Sequence, residues 1–261
     1  MDRYSEAAKD AAQKAGRILR ENIDKPSKIF FKGAVDLVTN FDNQSQEAIF
    51  KHLSSCFPGH DFLAEEGLNK EEAAGFRWIF DPLDGTTNYA HNFPIFCVSI
   101  ALERKGEIVL GVVYDPMRKE MFSAIKGEGA VLNGKEIKVS SVDDLDKSLI
   151  ATGFPYDIRV SEVNNIVHFN NFLTRVQGIR RCGSAAMDLC YVACGRLDGF
   201  WELKLQPWDV AAGALIAQEG GGRISDFKNH EFNIFNSEIL ATNGLIHQQM
   251  VDVLQMENVK V

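Results

Sequence analysis

Residues 80–94, FDPLDGTTNYAHNFP, begin at the last residue of the apolar run RWIF and crowd two aspartates, a proline, a glycine and two threonines together. Pro82 has no amide proton for a sheet ladder and holds Asp81 in extended geometry, so RWIF reads as a buried strand that stops there and turns. Gly85 supplies the positive φ of a tight reversal, and Asp84 or Thr86 is suited to cap a helix starting near Thr87. Such a helix start offers backbone N–H groups to a phosphate oxygen, with two carboxylates nearby as hard-oxygen ligands for magnesium. Taken alone, Asp-x-x-Asp-Gly is equally well read as an ordinary turn.

Upstream, Ala7, Ala8, Ala11, Ala12, Ala15, Ile18 and Leu19 recur at helical spacing and predict an amphipathic helix ending near Asn22. A second helix is expected after VDLVTNFD, with Asp42 as its N-cap, and HDFLAEEG reads as a short strand ending in Glu65 and Glu66. The charged stretch NKEEAAGFR (69–77) is expected to be a loop or short exposed helix.

Downstream, turn signals at Lys105-Gly106, Asp115-Pro116 and Asn133-Gly134 predict an antiparallel meander closed by a two-residue hairpin. The second half alternates differently. Strands are expected at SLIATG, LDGFWEL and ILATN, with helices over 161–176, 184–194 and 208–219 and one at the end of the chain. Helices and strands are mixed and antiparallel pairs are common, which favours a layered α+β fold over a doubly wound sheet.

The 261 residues are 45% hydrophobic, enough for a substantial core, and carry a formal net charge of −8. That charge argues against direct nucleic-acid binding, so an anionic substrate would need a local positive centre. The charged N-terminus and the absence of long apolar runs point to a cytoplasmic protein with no membrane association. The cysteines, odd in number and without C-x-x-C, suggest neither a disulfide framework nor zinc, and the histidines form no H-E-x-x-H. For the aspartate-rich turn to carry chemistry, further acids must converge on it. Glu65, Glu66 and Asp209 in PWDVAAG are the candidates, Asp209 reading equally as a helix cap or a metal ligand.

AEEG, DPLDGTTN with a Phe-Pro pair beyond it, and WDVAAG followed by EGGG stand in this order. Together with RRCGSAAMDLCYVACGRLDGFWE they resemble the inositol monophosphatase family, its bacterial members in particular. The resemblance spans nearly the whole chain. It implies a single domain over 1–261, built as an α/β/α/β/α sandwich, with 1–145 carrying the metal-binding half and 146–261 supplying Asp209 and the substrate contacts. It also implies a magnesium-dependent phosphomonoesterase with two to three ions per site, assembled as a homodimer. Glu65, Asp81 and the Leu83 carbonyl match ligands of the first ion, and Asp81, Asp84 and Asp209 those of the second. Thr86 and Glu65 match the groups that orient and deprotonate the attacking water, with Asp42 behind the threonine and Lys32 and Asp36 in the same segment.

Gly85 and Thr86 correspond to phosphate-binding backbone, and Gly183, Ser184, Ala185 and Glu202 to contacts with the polyol. Ser184 reads first as a helix cap, since Gly-Ser-Ala is not a nucleophile elbow. Arg180 and Arg181 are candidates for a second anionic group or for surface pairing, and Glu66, next to Glu65 in an extended segment, points the other way. Inositol monophosphate is the expected substrate. Fructose-1,6-bisphosphate and 3′-phosphoadenosine 5′-phosphate are alternatives, and a partner role in transcription or RNA processing is the reading from a different class.

Overall fold

The structure is a computed structural model and describes residues 1–25, 29–31, 37–70 and 75–257. Helices α1 (Asp2–Asn22) and α2 (Asn40–Cys56) flank in sequence a hairpin of β1 (Ile29–Phe31) and β2 (Leu37–Thr39). The chain continues through β3 (Asp61–Ala64), β4 (Asn69–Lys70), β5 (Phe76–Asp84), the short helix α3 (Thr86–Ala90), β6 (Cys97–Arg104), β7 (Glu107–Asp115), β8 (Glu120–Ile125), β9 (Ala130–Leu132) and β10 (Lys135–Glu136). Among the described residues these form a sheet of order β10-β9-β8-β7-β6-β5-β3-β4. All its neighbours are antiparallel except β3 and β5. The Asn133-Gly134 turn between β9 and β10 takes positive φ at both residues, 51° and 76°, as a two-residue hairpin of this kind requires.

The second half holds β11 (Leu149–Thr152), α4 (Ile166–Leu173), β12 (Gly178–Arg180), α5 (Ala185–Ala193), β13 (Gly199–Leu203), α6 (Pro207–Glu219), β14 (Arg223–Ser225), β15 (Glu238–Thr242) and α7 (His247–Leu254). Its sheet runs β12-β11-β13-β15-β14, parallel around β11 and antiparallel around β15.

Five layers result, and four apolar clusters among the described residues fill the gaps between them. α1 and α2 cover one face of the first sheet through Leu19, Leu53, Trp78, Phe80, Ile100 and Val112. α5 and α6 cover its other face through Ile79, Ala101, Val113, Cys190, Ala212 and Ile216. They also cover the second sheet, through Leu189, Phe200, Val210 and Ala241, while Phe172, Trp201, Leu240 and Met250 join that sheet to α4 and α7. Alternation along each strand decides the layer: Trp78 and Phe80 face one way, Ile79 the other; Trp201 and Leu203 face one way, Phe200 the other.

Lying between two sheets, α6 is apolar on every side, with Val210 through Ala217 all buried. Small residues let the middle layer approach closely. A Cβ at Gly111 of β7 would lie 2.6 Å from the Ala212 backbone oxygen, which cannot rotate away. Gly111→Ala is therefore expected to cost about 1–3 kcal/mol, read as a lower denaturant midpoint at unchanged slope; an unchanged midpoint would show that the layers can slide apart.

Three local expectations are corrected. The helix expected over 161–176 is confined to Ile166–Leu173. Part of NKEEAAGFR is strand, since Asn69–Lys70 pair with β3, while residues 71–74 lie outside the described residues. Pro82 does not end its strand: β5 runs on to Asp84 across an irregular register in which Asp81 faces Ser99 and Asp84 faces Cys97. A bulge accommodates the missing donor by leaving residues out of the ladder. Among the described residues no helix is long and apolar enough to cross a membrane.

Candidate active site

The β5 bulge decides where the acids point. It twists the strand's last residues so that Asp81, Leu83 and Asp84 all line one cleft of about 360 Å³. Glu65 joins them because β3 runs parallel to β5 with Ala64 beside Phe80, which puts Glu65, just past the end of β3, next to Asp81. Asp209 enters from the start of α6, and Gly183, Ser184 and Ala185 from the start of α5. Glu202 enters from β13, on the Phe200 face of that strand.

Gly85 follows the bulge with φ of 103° and is the N-cap of α3. A side chain there would meet Ile95 O at 3.0 Å and Gly183 O at 3.3 Å, so both backbone conformation and space demand glycine. Neither Asp84 nor Thr86 caps α3, contrary to the sequence expectation. Asp84 turns its Oδ2 to α5 instead, accepting from Ser184 Oγ at 2.8 Å and from Ala186 N at 2.8 Å. Ser184 is the α5 cap, as the sequence suggested, with Met187 N donating to its hydroxyl at 3.4 Å.

Thr86 is buried and its hydroxyl donates toward Asp42 Oδ1 at 3.1 Å and Leu83 O at 3.0 Å. Asp42 does not line the cleft but stands behind Thr86. Nor is it the α2 N-cap: Thr39 holds that position, and Asp42, three residues on, completes a capping box by accepting from Thr39 N at 2.9 Å. Burial pushes the Asp42 carboxyl up to about 6 against hydrogen bonds from Thr39 and Thr86, with the Glu66 charge adding to the rise. Asp209 is likewise the third residue of its helix, accepting from Gln206 N at 2.7 Å while Gln206 is the N-cap. For Asp209 the cap and ligand readings thus merge, since a capping-box acid still reaches the cleft.

The electrostatics are one-sided. Burial drives Asp81 well above the usual carboxylate range, and the charges of Glu65, Asp84 and Asp209 push it further. Asp84 is raised to about 6 by burial, opposed by its bonds from Ser184 and α5. Acids that raise one another in this way suit cations of charge two, which they bind as hard oxygen donors. No three acidic, histidine or cysteine side chains among the described residues are closed around a common cation position. Asp84 is drawn to α5 and Asp209 to Gln206 N, leaving the set open rather than clenched.

Of the remaining sequence candidates, Arg181 lines the cleft at an exposed position, whereas Arg180 sits at the exposed end of β12, outside it. Glu66 lies outside the cleft, its backbone exchanging two hydrogen bonds of 3.2 Å with the Gln46 amide. Lys32 and Asp36 lie outside the described residues. Sequence reasoning passed over Gly153 and Asp188, both of which line the cleft. Gly153 has a function visible only in three dimensions: a Cβ there would fall on the Glu202 carboxylate. Because a flexible carboxylate can swing aside, Gly153→Ala is expected to fold normally and displace Glu202. If Glu202 contacts a polyol phosphate, as the resemblance implies, the expected result is a KM raised by about tenfold, at a melting temperature within a few degrees of wild type; unaltered kinetics would mean that Glu202 tolerates the shift.

The model of the inositol monophosphatase family matches residues 1–257. The chain is 44% identical over 262 residues to inositol monophosphatase 2 of Solanum lycopersicum, covering 97% of this chain and 98% of that protein. It is 41% identical over 244 residues to the Nus factor SuhB of Salmonella typhimurium, covering 92% and 91% respectively. Among solved structures, an inositol monophosphatase from Anabaena (Nostoc) matches with a TM-score of 0.87 at 40% identity, covering 96% of this chain and 94% of that one.

Proposed function

The chain belongs to the inositol monophosphatase family, and from that premise we propose that it hydrolyses inositol monophosphate, with magnesium, to inositol and inorganic phosphate. The observation that carries this reading is the convergence of Glu65, Asp81, Asp84 and Asp209 on one cleft, with Asp81 destabilised as an anion by the other three. A phosphate monoester would be repelled from such a site unless divalent ions came between.

Glu65, Asp81, Asp84, Asp209 and the Leu83 carbonyl would hold those ions. When bound, two such ions supply positive charge against the phosphate and acidify water near neutral pH. The chain's own residues do the rest. Thr86, its proton directed to Asp42 and Leu83 O, presents lone pairs that orient the attacking water, and Glu65 takes up the proton. Backbone N–H groups of Gly85 and Thr86 hold phosphate oxygens, so that attack proceeds in line with the departing ester oxygen. Gly183, Ser184, Ala185 and Glu202 hold the polyol. Nothing in this scheme requires a phosphorylated enzyme. One domain, a homodimeric assembly and a cytoplasmic location belong to the same proposal.

The test is phosphate release from inositol monophosphate, fructose-1,6-bisphosphate and 3′-phosphoadenosine 5′-phosphate, with and without magnesium. The reading expects inositol monophosphate to give the highest kcat/KM. No release from any ester rejects a phosphatase, and a preferred bisphosphate or nucleotide rejects the substrate. A second role rests on the relative named as a Nus factor: a protein partner in transcription. Binding of RNA polymerase or ribosomal components that survives Asp84→Asn would mark that role as separate from hydrolysis, and no binding by either form would reject it.

A further inference from the structure

Asp188 stands on the first turn of α5, four residues beyond the Ser184 cap, and lines the cleft. It is 1% exposed, and its Oδ1 has no hydrogen-bond partner among the described residues. A buried carboxyl oxygen without a partner is costly, and a fold tolerates it where a ligand completes the pairing. Around it are the Cys182 thiol, the Arg181 guanidinium at the rim and the Asp84 carboxylate. Glu202 lies across the cleft on β13, close enough for the Asp188 charge to raise it, and is packed against Gly153. Burial pushes the Asp188 carboxyl up to about 8, against Cys182 and Arg181 and with Asp84 adding to the rise. At neutral pH it is mostly the acid, which can accept one hydrogen bond and donate another.

We infer that Asp188 determines which leaving group the cleft accepts, its unpartnered Oδ1 receiving a hydroxyl of the polyol beside the one held by Glu202. The inference rests on the phosphatase reading of the same cleft. A polyol with neighbouring hydroxyls satisfies both buried carboxyls. An ester whose leaving group lacks hydroxyls leaves both unpaired, the kind of mismatch by which hydrogen-bonding sites reject analogues most strongly.

The experiment measures kcat and KM of wild type, Asp188→Asn and Asp188→Ala on inositol monophosphate and on phenyl phosphate, with a melting curve for each protein. Asparagine keeps a carbonyl acceptor in place and is expected to hold the inositol phosphate KM within about threefold, whereas alanine raises it about tenfold or more at similar kcat. Neither change should raise the phenyl phosphate KM, and alanine, which removes a carboxyl that this ester leaves unpaired, should lower it. Should the alanine variant fail to fold, Asp188→Leu, with the same branched skeleton and no acceptor, is read in the same way. Equal losses on both esters would assign Asp188 to the support of α5 and overturn the inference, as would an unchanged inositol phosphate KM. A wild-type protein that cleaves neither ester removes the phosphatase reading and the inference with it; one that cleaves both leaves the reading standing whatever the variants do.

Discussion

Asp81→Asn is expected to lower kcat/KM by about 10³-fold or more while raising the melting temperature of the protein stripped of divalent ions. The two effects share a cause. Asp81 is 2% exposed, and burial together with the charges of Glu65, Asp84 and Asp209 opposes its ionisation. Asparagine has the same shape and no charge, so the metal-free fold is spared the cost of ionising that carboxyl and the proposed ions lose one of the carboxylates that would hold them. For a chain of this size each kcal/mol recovered moves the melting point by roughly 2–4 °C. Thermal melts in chelator and phosphate-release assays in magnesium check the pair of outcomes. Activity within tenfold of wild type would remove Asp81 from the metal site, and a lower melting point would mean that the carboxylate is needed by the fold itself.

Stripping the divalent ions is expected to abolish turnover and to leave a protein that weakens as pH rises from about 4 to about 8. Asp42 and Asp84 titrate near 6 and Asp188 near 8 in the folded chain, all raised by burial from 3.8. Asp81 and Glu202 are raised too. An acid whose folded pKa lies above its unfolded value holds more protons folded than unfolded in the interval between them, so unfolding becomes easier as pH climbs through it. The penalty is absent below the unfolded pKa and complete above the folded one. Magnesium opposes it by stabilising the ionised carboxylates, so the rise in melting temperature on adding magnesium should be larger at pH 8 than at pH 5.5. Saturation at one hundred times the dissociation constant would contribute about 2.7 kcal/mol. Equal rises at both pH values would locate magnesium away from these acids.

The layers and the cleft were legible in the sequence to different depths. Apolar strand runs such as residues 78–80, the turn signals of the meander and the small-residue face of α1 mark buried strands and helices in a mixed, largely antiparallel order, so the layered α+β class follows from pattern, whereas which way each strand residue faces shows only in three dimensions. Glu65 was a candidate as an acid at the end of the preceding strand, but its role beside Asp81 rested on the resemblance, because a parallel register between β3 and β5 has no local signal. The caps were misassigned for a local reason. In both Thr39-x-x-Asp42 and Gln206-x-x-Asp209 the acid bonds back to the cap's N–H, and the residue with the stronger preference is not the one in the capping position. Pro82 misled because a bulge supplies what a regular strand cannot. Gly153 and Asp188 gave no signal at all: one acts by leaving room for Glu202, and the other is set apart by an oxygen without a partner.

The bonds from Ser184 and Ala186 to Asp84 join residues 100 and 102 positions apart, and Asn88 Nδ2 donates to Cys182 O across 94. During synthesis the acids of the first half therefore leave the ribosome long before the helix start that orients Asp84 has been made. If the acids hold magnesium as proposed, its tight binding would be a late event that reports a finished chain. A nascent or truncated fragment ending before Ser184 would carry Glu65, Asp81 and Asp84 without a grip on the ion, and so would neither sequester magnesium nor attack phosphate esters prematurely.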